Sequence, residues 1–242
     1  MLRRHLVARG FLTMALLFVV QKLLGRAGNL IADGIPLTQL DPYHIFAGIS
    51  IHHIVQMLLA LAVIAWLSRR LKLHFGFCLG DTKKGLRYLG IFAAAFFALS
   101  IALHLLMYAG GQLPRYDFPL NTRNIMGTLG FQLLLSGPSE EVLYRALPVP
   151  LLAYAFGRSI PVKGALTLEV LLSAVLFSLA HASWSLYPFS FQADPFQLAY
   201  ALAMGILQGI VYQKTRSIVY PMIMHSFSNA LMVGTGYLFT LL

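Results

Sequence analysis

Only three glutamates occur in this 242-residue chain, and two of them stand side by side in SGPSEEVLYRALPVP, within a long apolar stretch. An ionisable group at membrane depth costs ~2.5–3.5 kcal/mol on insertion scales unless it is paired or wetted, so these residues carry information. Glu141 and Arg145 are four residues apart, share one helical face and can neutralise each other, which reads as a brace that fixes helix packing. Glu140 lies about 100° further round the helix and lacks that partner. A lone carboxylate in low dielectric holds its proton more tightly, which is the condition for taking and returning protons near neutral pH.

Two later apolar stretches carry histidines. In LLSAVLFSLAHASW, Phe177 and His181 share a face, and in YPMIMHSFSNALMV, His225 and Asn229 do the same. A histidine alone in an apolar helix is most often a satisfied hydrogen-bond partner. The combination says more: a carboxylate pair, a histidine, then a histidine with an amide one turn later, on three segments able to converge in a bundle. That set offers a base, a second base or donor, and two donors for a developing oxyanion where water is scarce. The pair His52-His53 and the isolated His104 suggest haem ligation or a proton path. Packing is the better reading, because adjacent residues do not both face one site.

The composition requires a bilayer around these groups. Hydrophobic residues make up 58% of the chain and charged residues 11%, with mean hydropathy +0.74. A soluble domain has about 25% charged residues. The formal charge of +10 suits anionic lipid at loop positions better than nucleic acid. The single cysteine, Cys78, excludes an intrachain disulfide and a cysteine-based metal or redox centre.

The basic, apolar N-terminus resembles a signal peptide but shows no small-x-small cleavage site, so it reads as a retained first span. Apolar stretches follow at Ile45 to Leu67, Leu86 to Ala109, Asn124 to Phe156, Leu166 to Ser183, Phe196 to Tyr212 and Ser217 to Leu242. The spacing predicts an all-α polytopic bundle of about seven to eight transmembrane helices, one membrane domain over 1–242, with an intramembrane catalytic cavity. Gly137-Pro138 predicts a kink or break in the fourth stretch, and that bend must help bring Glu140 and His225 to one depth.

With alternating spans, one set of loops holds Arg3, Arg4, Arg9, Arg69, Arg70, Lys72, Lys83, Lys84, Arg87, Arg158, Lys163, Lys214 and Arg216. The other holds Lys22, Arg26, Arg115 and Arg123. The bias places the N-terminus in the cytoplasm and the C-terminus outside. The outer segments at Asp33 to Asp41, Gly110 to Asn121 and Tyr187 to Asp194 are too short for a receptor domain. Tyr43, Tyr116, Trp184 and Tyr187 read as interface belts and packing.

Glu140-Glu141-x-x-x-Arg145, Phe177-x-x-x-His181 and His225-x-x-x-Asn229, in this order on successive spans, resemble the CPBP family of intramembrane proteases. That family includes the CAAX prenyl endopeptidases and the bacterial Abi proteins. The likeness covers residues 137–231, a CPBP-like catalytic region. Each motif alone is common by chance, and their order within apolar stretches makes the set specific. FGFCLGDTKKGLRYLG also resembles the cytoplasmic segment before a span in bacterial members. Many members carry Gly after the motif arginine, whereas here Ala146 follows and Pro148 comes soon after.

The resemblance implies a glutamic-type endopeptidase in which Glu140 and His181 hold and activate water. His225 and Asn229 would stabilise the tetrahedral oxyanion, with Glu141, Arg145 and Phe177 supporting the site. No cofactor is expected. The site as a whole is poor for zinc, because HExxH is absent and Asn229 is a weak ligand, but a zinc-dependent form could still draw three ligands from Glu140, His181 and His225. The substrate class is a membrane-anchored peptide or protein precursor, cleaved in a C-terminal tail, leader or CAAX-like segment. The alternative is a non-catalytic membrane scaffold that regulates a kinase or cell-wall enzyme. The location expected is a bacterial inner membrane.

Overall fold

The computed structural model describes residues 4–187 and 189–242. Arg3, counted above among the loop cations, and Pro188, in the third outer segment, lie outside the described residues. Of the described residues 73% are helical, in an all-α membrane bundle. In order it forms α1 (Arg4–Asp33), α2 (Ala47–Leu71), α3 (Thr82–Ala109), a composite helix from Thr122 to Ala155, α7 (Leu168–Ala180), α8 (Pro195–Thr215) and α9 (Val219–Leu241). Helices α1, α2, α3 and α8 are long and apolar enough to cross a membrane. Their exposed leucines, including Leu12, Leu16, Leu106 and Leu207, form the surface that a hydrocarbon phase would cover.

The helix starts follow from short polar side chains. Asp81 accepts a hydrogen bond from the Lys84 amide at 3.0 Å to begin α3, and Asp194 accepts from the amides of Phe196 and Gln197 to begin α8. Asp41, fully buried before α2, accepts from the amides of Ile45, Phe46 and Ala47 at 3.0, 2.8 and 2.8 Å. Helices α2 and α8 end at Lys72 and Arg216, both in the left-handed region. Two small antiparallel hairpins, β1 (Pro161–Lys163) with β2 (Leu166–Thr167) and β3 (Ser183–Leu186) with β4 (Phe189–Gln192), flank α7. Apolarity alone gave no sign of either.

The composite helix is the axis of the fold. It comprises α4 (Thr122–Phe131), a π-helical segment Gln132–Ser136, α5 (Gly137–Glu141), a second π segment Val142–Ala146, and α6 (Pro148–Ala155). Every residue from Glu141 to Val149 is buried, as expected of a helix enclosed on all sides. The break expected at Gly137-Pro138 is replaced by a wider turn. Each π segment ends two residues before a proline, Pro138 or Pro148, so the missing amide is absorbed by a register change and the helix runs on. In the second segment the Leu147 amide donates to the Val142 carbonyl at 3.0 Å. Neighbouring helices satisfy the carbonyls left over: Ser173 Oγ donates to the Tyr144 carbonyl, and Gln21 Nε2 donates to that of Leu143 at 3.0 Å.

Candidate active site

The GPSEE turn of α5 lies against α9, and Gly137 permits the approach. A Cβ on Gly137 would stand 2.4 Å from Ser226 Oγ and 2.7 Å from the Met222 carbonyl. No side chain larger than hydrogen fits between these backbones. Glu140 and Glu141 therefore meet the His225 face of α9 directly.

Glu141 and Arg145 are fully buried and paired, with Nη1 3.1 Å from Oε1, as their spacing predicts. Two further contacts brace the pair. Arg145 Nη2 donates to Gln208 Oε1 at 2.7 Å, and the guanidinium lies 4.0 Å from the centre of the Phe177 ring, a cation–π contact. The same ring meets His181 edge-on at 4.8 Å and His225 at 5.8 Å between centres. Phe177 thus fills the space among three functional groups.

His225 Nδ1 donates to Glu141 Oε1 at 2.8 Å, which leaves Nε2 as the free nitrogen. That Nε2 stands 3.4 Å from Glu140 Oε2. Glu140 is therefore not the unpartnered carboxylate the sequence suggests. His53 of α2 approaches its other oxygen, with Nε2 3.8 Å from Oε1.

His181 caps the C-terminus of α7, where Nδ1 donates to the Phe177 carbonyl at 3.0 Å. Its Nε2 is then the acceptor. Asn229 Nδ2 donates to Ser136 Oγ at 2.9 Å, which leaves one amide hydrogen uncommitted.

Glu140, His181, His225 and Asn229 line one cavity of about 640 Å³ together with Tyr144, Phe177 and Gln208. The structure brings all four predicted residues to this cavity. The contact with Glu140 comes from His225, while His181 shares the cavity wall. His52 and His53 both line it as well, against the expectation that neighbours would diverge. They are about 100° apart on α2, and the cavity is wide enough to reach both sides of that edge. Gln21, Gln56 and Ser136 are other polar wall residues that the motifs did not reveal. His104 is buried elsewhere, its Nδ1 donating to the Ser100 carbonyl at 2.8 Å, the satisfied histidine its isolation suggested.

Among the described residues, no three His, Cys, Asp or Glu side chains are grouped closely enough to hold a metal ion.

Residues 122–231 match a family model described as Rce1-like, Type II CAAX prenyl endopeptidase Rce1-like. Comparisons with curated proteins and with solved structures find no match. The match bears out the resemblance to the CPBP and CAAX protease family drawn from the three motifs. The region it covers, from the start of α4 to within α9, contains every member of the cavity constellation except the residues of α1 and α2.

Proposed function

We propose that this integral membrane protein hydrolyses a peptide bond in a membrane-associated peptide or protein precursor, using water activated by Glu140. The segment cut is a C-terminal tail, leader or CAAX-like sequence that enters the cavity from the lipid phase. The observation that carries the reading is the chain of contacts from Arg145 through Glu141 and His225 to Glu140, inside a region matching an endopeptidase family.

Each group has work that its hydrogen bonds suit. Water lies between Glu140 and the acceptor Nε2 of His181. Glu140 takes one proton from it, and the oxygen attacks the scissile carbonyl carbon. The proton passes from Glu140 Oε2 to His225 Nε2 across 3.4 Å. Glu141, bonded to Nδ1, stabilises the imidazolium that results, much as a buried carboxylate supports the histidine of a hydrolase triad. The imidazolium and the uncommitted Asn229 hydrogen then donate to the tetrahedral oxyanion. On collapse the carbon–nitrogen bond breaks, and the leaving nitrogen takes the same proton. The water is thus divided as hydroxyl to the acyl product and hydrogen to the amine.

The bias of basic residues supports an N-terminus in the cytoplasm and a C-terminus outside, and the short outer segments suit residence in a bacterial inner membrane. The mechanism is tested by cleavage in membranes treated with a strong chelator. Activity that survives chelation and is lost in Glu140→Gln supports metal-free hydrolysis. Activity that only zinc restores to the stripped enzyme overturns it.

A further inference from the structure

His53 lies on α2, outside the residues that match the endopeptidase family, and no motif pointed to it. It is buried at 7% exposure. Its Nδ1 is 2.6 Å from Ser139 Oγ, and that hydroxyl donates its one hydrogen to the Ser136 carbonyl at 3.1 Å. With Nδ1 assigned as the donor to Ser139, a lone pair is left on Nε2. The Phe131 ring, edge-on with centres 5.0 Å apart, fixes the plane of the imidazole. The titratable groups around it are Glu140, His52 and His225.

The lone pair faces Glu140 Oε1 at 3.8 Å, while the other oxygen faces the equally bare Nε2 of His225. In these tautomers Glu140 is bracketed by two acceptor nitrogens. Either oxygen, once it has taken a proton from water, finds an acceptor.

We propose that His53 is the positioning residue of Glu140, accepting a hydrogen bond from Oε1 when the carboxyl group holds the proton taken from water. His53 undergoes no net change: the proton taken from water rests on the oxygen facing His53, comes to the His225 side as the carboxyl group turns about its Cγ–Cδ bond, and leaves with the amine. The role rests on the proposed hydrolysis and adds a partner from outside the matched region.

His53→Asn is the variant of choice, since the Asn amide can still donate to Ser139 while the nitrogen facing Glu140 is removed. The probe is total membranes from a strain carrying Glu140→Ala, mixed with purified enzyme, and the readout is the initial rate at which new protein termini form. His53→Asn is expected to slow that rate about 10²-fold, the scale of a misplaced reacting group, with its unfolding temperature kept. Added imidazole should restore part of the rate in His53→Ala, and across substituted imidazoles the restored rate should rise with base strength. Rescue that follows only the size of the added base, or a wild-type rate in His53→Asn, overturns the proposal. If wild type itself produces no new termini relative to Glu140→Ala, the hydrolysis reading fails first, and the two failures are distinguishable.

Discussion

His225 Nδ1 and Glu141 Oε1 meet at 2.8 Å in a fully enclosed contact between α9 and α5. This bond fixes which imidazole nitrogen is bare, and so turns a helix-packing carboxylate into a determinant of the chemistry at Glu140. Arg145 holds Glu141 from the other side. The brace and the reacting groups are one connected unit.

Removing one member of the buried pair should therefore be worse than removing both. Glu141→Ala leaves the fully buried Arg145 without its counter-charge, an effect of about 3–5 kcal/mol for a broken buried pair. The double variant Glu141→Gln with Arg145→Met should regain part of that loss. Thermal unfolding in detergent micelles measures both, and a double variant less stable than either single one would contradict the arrangement.

Asn229 offers a sharper kinetic signature. Asn229→Ala removes the oxyanion donor together with the part-buried bond to Ser136, a loss of only about 1 kcal/mol for one hydrogen bond. The cleavage rate should fall ~10²–10³-fold, the usual effect of losing one such donor, with the unfolding temperature little changed. A rate within a few-fold of wild type would remove Asn229 from the oxyanion site.

Gly137 governs whether the carboxylates reach the histidine at all. In Gly137→Ala the new methyl would stand 2.7 Å from the Met222 carbonyl and the Ser226 amide nitrogen, and backbone atoms cannot rotate away. The expected outcome is separation of α5 from α9, with both stability and cleavage reduced. Retention of both would show that the close approach is dispensable.

Asp41 sets the pH dependence of the α1–α2 connection. Burial raises its carboxyl pKa, but the hydrogen bonds from the Phe46, Ala47 and Ile45 amides prevail and hold it below its ordinary value of 3.8. A carboxyl group depressed on folding stabilises the fold fully above its ordinary value, and that stability is lost as pH falls through the folded value. Asp41→Ala should lower stability by about 1 kcal/mol at neutral pH, as for a lost helix cap. Unfolding curves of the two proteins should converge in strong acid, and a gap independent of pH would contradict the assignment.

The sequence displayed those parts of the site that depend on local spacing. Glu141 and Arg145 are one turn apart, as are His225 and Asn229, and such pairs share a face in any helix. The fourth apolar stretch was also visible as one long element. Gly137-Pro138 suggests a break, because spacing cannot show that a register change absorbs the missing amide or that Ser173 and Gln21, far away in the chain, supply donors to carbonyls of the same helix. His53 was hidden for a related reason. Its place beside Glu140 depends on how α2 packs against α5, and on Ser139 selecting its tautomer. Adjacent histidines in an apolar helix show nothing of either.

The most direct measurement compares protein termini in membranes from cells carrying wild type or Glu140→Ala, with both proteins present in equal amount. Proteolysis through this cavity predicts termini that appear only with wild type, each in a membrane-associated precursor. Identical termini in the two membranes, with Glu140→Ala rescuing the phenotype of a deletion, would mean that the cluster is structural and that the protein acts as a scaffold.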